Sequence, residues 1–289
     1  MKEPQAAPTG VGRRNRRLSD QETRERMMRA AIAMINRTGL TVSLDHIRFE
    51  DVIRDADVSR STAYRHWPYK DLFFSDLVKE LAGMARPAIV NDEISLIKEI
   101  LSERQDWLRT PGQRHSLILE LIRQLALLDF HSILASPEWR TYLALHATFS
   151  GLSDGDLRDQ IQAALAHAEA GQVELVAKAW SQIADLFGYR LRPELATSFN
   201  TLATLLGATM RGLAITALST PEIATRLTVA APFGAAGKDP WSLPAAGMAS
   251  IAMAFLEPDP AADWNEQRLA GIHRVLDAWV TDAVPGKPS

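Results

Sequence analysis

The chain has 289 residues, 46% of them hydrophobic and 23% charged, which is enough apolar material for a buried core and, against domains of roughly 100 to 200 residues, for one small and one larger unit. The absence of cysteine excludes disulfides, thiolate metal sites, cysteine nucleophiles and thiol redox sensing, and fits a reducing compartment. A formal net charge of −3 excludes binding of polyanions by bulk charge, but residues 1–80 carry 15 Lys and Arg against 12 Asp and Glu while the remainder carries 17 against 23.

Residues 1–19 hold Pro4, Pro8, Gly10 and Gly12, then Arg13, Arg14, Arg16 and Arg17. This composition cannot bury a core and is expected to be a disordered basic arm, either a solvated tail or a phosphate or minor-groove contact. It has no apolar run, so it does not read as a signal peptide.

From Ser19 onward the pattern is helical. Ser19 followed by Glu22 is a capping-box signal, and Met27, Ala31 and Ile35, with Met28 and Ile32, recur at the spacing of one buried helix face. Gly39 is the expected C-terminal stop. Phe49, Val52, Ile53 and Ala56 predict a short second helix. A third is predicted from Arg60 to Trp67, and Pro68 suits the first position of a fourth.

Two short helices with about three residues between them have the dimensions of a helix-turn-helix over residues 49–67. Asp57 stands in the turn, where left-handed backbone is often needed and Asp tolerates it better than most residues. Val58 can pack inward and Ser59 can cap the third helix. On that helix Ala63 and Trp67 form a narrow apolar face. Arg60, Ser61, Thr62, Tyr64 and Arg65 remain outside, and these residue types hydrogen-bond base edges and phosphates. Lys70, in the first turn of the next helix, opposes the helix dipole; a phosphate shared between it and the backbone amides removes the conflict.

Further helices are predicted near 72–85, 93–109, 112–134, 137–150, 155–188, 193–218 and 264–283, with Pro111, Pro137 and Pro193 at starts. Residues 220–262 form a proline-broken connection with one short helix around 245–255. No β-alternation is long enough to predict a strand. The longest apolar stretch, 202–218, is interrupted by Arg211 and several Thr, so no membrane span is expected and the cytoplasm is the default location. The fold class is therefore all-α.

The stretch DVIRDADVSRSTAYRHWPYKDLFFSDLVKEL, preceded by TRERMMRAAIAMINRTG, resembles the tetracycline-repressor (TetR) family of bacterial regulators, whose signature runs close to A-G-V-S-x-x-T-x-Y-x-H-F-x-x-K. Val58, Ser59, Thr62, Tyr64, His66 and Lys70 match it position by position, over roughly 60 residues of similarity. Asp57 stands where Gly is usual and Trp67 where Phe is usual, and the segment LTVSLDHIRFED is a few residues longer than typical.

The resemblance implies a helix-turn-helix domain over 20–70 and a helical ligand-binding and dimerisation domain over 71–289. It implies that Tyr64, His66 and Lys70 grip phosphates, with Thr62 near the backbone or a base. Arg60, Ser61 and Arg65 would choose bases, and Thr23 and Arg24 would touch an adjacent phosphate. The implied function is a DNA-binding regulator, a repressor in the first reading, that binds double-stranded palindromic operator DNA as a homodimer and is released by an apolar small-molecule effector. One short recognition helix reads few base pairs, which independently favours two copies. Segments 194–218 and 264–280 are the dimer candidates. Trp107, Phe130, His131, Trp139, Tyr142, His146, Phe149 and Trp180 are the candidate pocket residues.

Two alternatives stay open: the same regulator with a protein partner or no effector, and an activator. Enzyme signatures are missing, since there is no H-E-x-x-H, G-x-S-x-G, G-x-x-x-x-G-K-[ST] or G-x-G-x-x-G. His167 and Glu169 imitate part of a zinc deaminase signature, but its cysteines do not exist in the chain. The seven histidines are scattered, so neither a metal nor a cofactor is expected.

Overall fold

The computed structural model describes residues 19–38, 47–84, 91–272 and 274. The basic arm, Gly39, most of the LTVSLDHIRFED segment and the chain beyond 274 lie outside the described residues.

The protein is mainly helical. Helix α1 (Asp20–Thr38) begins with the full capping box: Ser19 N–H donates to Glu22 Oε2 at 2.8 Å, and Glu22 N–H donates to Ser19 Oγ at 3.0 Å. Two otherwise orphaned amides are thereby satisfied. Met27, Ala31 and Ile35 are completely buried along one stripe. Next come α2 (Phe49–Asp55), α3 (Arg60–His66) and α4 (Lys70–Met84). Helix α4 starts at Lys70, not at Pro68. Trp67, the residue before Pro68, is extended at φ −123° and ψ 90°, as a residue preceding proline prefers, and this breaks the chain between α3 and α4.

The larger part comprises α5 (Asn91–Glu103), a 3-10 turn at Gln105–Leu108, α6 (Pro111–Ala135), α7 (Pro137–Ser150), α8 (Asp156–Leu186), α9 (Phe199–Ser219), α10 (Glu222–Thr225) and α11 (Leu243–Phe255), followed by a helical stretch from 266. The helix expected over 93–109 ends at Glu103. Pro193 starts a 3-10 turn, Pro193–Leu195, and not α9, because Ala196 takes left-handed backbone at φ 43° and Ser198 supplies the α9 cap.

Strands overturn the expectation that there are none. β1 (Tyr189–Leu191) pairs antiparallel with β4 (Leu256–Pro258), and β2 (Leu227–Ala230) with β3 (Asp239–Ser242). Each strand has three or four residues, too short for alternation to register in the sequence.

Two apolar cores result. The first joins Met27, Phe49, Ile53, Ala63, Trp67, Phe73 and Leu77 to Leu145 of α7 and to Ile161 and Leu165 of α8. The second gathers Leu117 and Phe130 of α6, Leu202, Leu206 and Met210 of α9, and Ala245, Ala249 and Ala252 of α11. Those three alanines are completely buried; their small side chains let α11 lie close against α6 and α9. Helix α9 is long and apolar enough by composition to cross a membrane, but its inner stripe is packed into this second core.

Candidate functional site

The geometry around α3 follows from four residues. Asp57 has φ 53°, the left-handed region, and turns the chain out of α2. Its N–H bonds the Arg54 carbonyl at 3.1 Å, and Val58 N–H bonds the Ile53 carbonyl at 3.2 Å, which tucks Val58 into the core. Ser59 Oγ then accepts the Thr62 N–H at 3.2 Å, capping α3. A helix of seven residues has little stability of its own, so its anchorage is tertiary. Ala63 and Trp67 are 0% and 2% exposed, and the Trp67 indole N–H donates to Asp76 Oδ2 of α4 at 3.1 Å.

With that face buried, the opposite one is presented to solvent. Arg60, Ser61, Tyr64 and Arg65 are exposed, Thr62 and His66 half-buried, and Lys70 is exposed at the start of α4. Ser61 and Thr62 hydroxyls share hydrogen bonds with Ser59 Oγ at 3.0 and 2.8 Å. Tyr64 stands edge-on to Phe49, with its hydroxyl on Glu50. Hydrogen bonds from Glu50's own backbone and from Tyr64, with the fields of Arg60 and Lys70, hold the Glu50 carboxyl below its usual range; the same bond to Glu50 raises Tyr64. Arg65 reaches Asp20 at 3.4 Å, Arg24 pairs with Glu80 at 3.2 Å, and the His66 ring leans on Trp67. Arg60 and Lys70 pair with no acid among the described residues.

Arg24 on α1 pairs with Glu80 of α4, while seven of the nine residues expected at such a surface stand on α3 or in the first turn of α4. Thr23 does not. It is completely buried, and its hydroxyl donates to the Ser19 carbonyl at 2.9 Å, so its side chain finishes the start of α1 and offers nothing to a phosphate.

The second feature is a cavity of about 230 Å³ between α6, α8 and α9, walled by hydrocarbon such as Leu121, Ile122, Val176, Leu206 and Met210. Of the expected pocket residues only Trp139 and Trp180 line it. Tyr142 stacks on Trp139 at 5.1 Å and lends its hydroxyl to Glu169 at 3.4 Å, so it supports the wall from behind. The other five are elsewhere. Phe130 fills the body core, and Trp107 packs at its edge under Arg104. His131 turns outward to the Ala224 carbonyl, His146 bonds the Tyr142 carbonyl one turn back, and Phe149 packs beside the first core under Arg158.

In their place the cavity has polar residues outside the expected set: Asp129, Glu169, Gln172 and Arg211. Arg211 Nη2 pairs with Glu169 Oε1 at 2.7 Å. Burial pushes the Asp129 carboxyl up to about 6. Gln172 Oε1 and Trp139 Nε1 are buried with no hydrogen-bond partner. Asp129 had a readable signal. Leu125, Ala126 and Ile133, its neighbours at i−4, i−3 and i+4, are all apolar, which places a charge on the inner helix face.

Helix α8 joins the two features. Its first half gives Ile161 and Leu165 to the core that carries α3, and its second half, from Glu169 to Leu186, lines the cavity. Tyr142 packs against both cores.

Among the described residues no group of three or more His, Asp or Glu side chains could hold a metal. Compared with models of known protein families and with curated proteins, the chain matches none.

Proposed function

We propose that the protein is a transcriptional regulator of the tetracycline-repressor type, in which α2, the Asp57 turn and α3 form a helix-turn-helix that enters the major groove. The observation that carries this reading is the outward face of α3. A seven-residue helix is fixed from behind by Ala63, Trp67 and the Ser59 cap, and presents Arg60, Ser61, Tyr64 and Arg65 beside Lys70, which pairs with no acid among the described residues. Rigid mounting matters because base readout needs donors held in place before contact. In this arrangement Arg60, Ser61 and Arg65 read base edges, while Tyr64, His66 and Lys70 hold phosphates with Thr62 alongside.

The regulator acts as a homodimer on a palindromic site, and the outer face of α9 is the surface that supports pairing. Leu205, Ala208, Gly212 and Ile215 are exposed at helical spacing on the side opposite the core stripe. The cavity is the effector site, a reading supported by its apolar walls and the polar groups set into them. A ligand that fits one arrangement of α8 better than another shifts the angle of the two reading heads and releases the DNA, which makes the protein a repressor.

Selection by the purified full-length protein from a pool of random duplexes tests the reading. A recovered pseudo-palindrome with half-sites about one helical turn apart is expected; recovery of no sequence above background overturns it.

A further inference from the structure

Asp129 is an ionisable group that the fold has no evident structural use for. Among the described residues its carboxylate takes part in neither a hydrogen bond nor an ion pair, and desolvation raises its proton affinity. Asp129 is half-buried on the cavity wall; a desolvated carboxylate without a partner is costly, and such groups concentrate where a ligand supplies the partner.

The charges on the wall give that ligand a sign. Asp129 and Glu169 are acidic and Arg211 is basic, with no other charged side chain lining the cavity. The charge of Arg211 is already paired with Glu169 at 2.7 Å. An anion entering the cavity would meet a surplus negative charge and no free cation. A neutral hydrocarbon would fill the walls but leave Asp129 as it is. A cation would neutralise the surplus.

Gln172, 9% exposed on the same wall, has a carboxamide oxygen with no partner, and this oxygen can only accept. Trp139 and Trp180 bring aromatic rings to the lining, and ring faces attract ammonium groups. The volume of about 230 Å³ lies below the roughly 300–1,000 Å³ of common ligand pockets, which favours a ligand of one ring or a short chain.

We infer that the cavity binds a small apolar amine as its ammonium ion, with the Asp129 carboxylate as counter-charge and Gln172 Oε1 accepting an N–H. The inference deepens the reading of the cavity as an effector site and rests on it.

Isothermal titration of the full-length protein at pH 7.5 with 2-phenylethylamine, 2-phenylethanol and 3-phenylpropanoate tests it, since the three probes share a phenyl body and differ in charge. The amine is expected to bind at least tenfold more tightly than the alcohol, with the acid weakest. Asp129→Asn is expected to bring the amine down to the level of the alcohol; Gln172→Leu weakens the amine a few-fold. Equal affinity for amine and alcohol in the unaltered protein, an amine preference that survives in Asp129→Asn, or no binding of any probe overturns the proposal. If a variant does not fold, the amine-to-alcohol ratio of the unaltered chain decides alone. No DNA is present in the titration, so its outcome is separate from that of the operator selection.

Discussion

The Tyr64 hydroxyl donates to Glu50 Oε1 at 3.0 Å, tying the exposed face of α3 to the first turn of α2. If Tyr64 holds a phosphate, that phosphate must compete with a carboxylate for the same hydroxyl, and the acid repels the DNA backbone as well. Glu50→Gln keeps the shape and removes the charge. Its DNA complex is expected to be tighter by about three- to tenfold at 0.1 M salt, an effect of one partly screened charge. Fluorescence anisotropy with the selected duplex measures it; unchanged or weaker binding would mean that Glu50 does not face the DNA.

Arg60 and Lys70 are assigned different tasks and should fail differently. Lys70→Ala is expected to weaken all duplexes alike and to lower the slope of log K against log salt by about one, the signature of one lost phosphate contact. Arg60→Ala is expected to change which bases are preferred in each half-site, with a loss of about 1–3 kcal/mol of discrimination. Repeating the selection with each variant separates the two, and identical base preferences for Arg60→Ala and the parent would remove Arg60 from base readout.

The turn between α2 and α3 carries a non-glycine residue at φ 53°. Glycine adopts this conformation without the Cβ cost, though it gives up more freedom on folding. Asp57→Gly is therefore expected to stabilise the protein by about 0.5–1 kcal/mol, and Asp57→Val, with a branched Cβ, to destabilise it by about 1–2 kcal/mol. Chemical denaturation of the three proteins gives the ranking, and a Val variant as stable as the parent would contradict it.

Asp129 makes stability depend on pH in the direction opposite to an ion-paired carboxylate. Its carboxyl rises from 3.8 to about 6 on folding. The unfolded chain therefore loses this proton first, and the contribution falls as pH climbs from about 4 to about 6. At about 1.4 kcal/mol per tenfold change the loss is about 2–3 kcal/mol, complete near pH 7. Asp129→Asn removes the titration, so the stability of the variant relative to the parent should rise by about that amount between pH 4 and pH 7. Urea unfolding across that range checks it; a difference that stays flat would show the carboxyl to be ordinary.

What the sequence revealed and what it withheld divide along a physical line. The capping box of Ser19 and Glu22, the Ser59 cap and the inward pair Ala63 and Trp67 depend on neighbours within four positions, and all form as the spacing predicts. Asp57 was readable as a turn residue because few residues tolerate its backbone. Pairing such as Tyr189 with Pro258 joins distant positions through strands of three residues, and no local pattern encodes it. The cavity was misplaced for a related reason. Aromatic residues mark solid cores here as readily as cavities: Phe130 fills one core and Phe149 packs at the edge of the other. Arg211, read only as an interruption of an apolar stretch, instead meets Glu169 on another helix.

Helix α8 has 31 residues, about 46 Å at 1.5 Å per residue, and is shared by both cores. Its first half supplies Ile161 and Leu165 to one core and its second half, from Glu169 to Leu186, the wall of the cavity, so the two are coupled through a single continuous rod. The α1–α4 unit consequently does not carry all of its own core. Grafted onto another body without α7 and α8, it would expose the surface of α4 that packs against those two helices, so a transplant that keeps its stability is expected to include them.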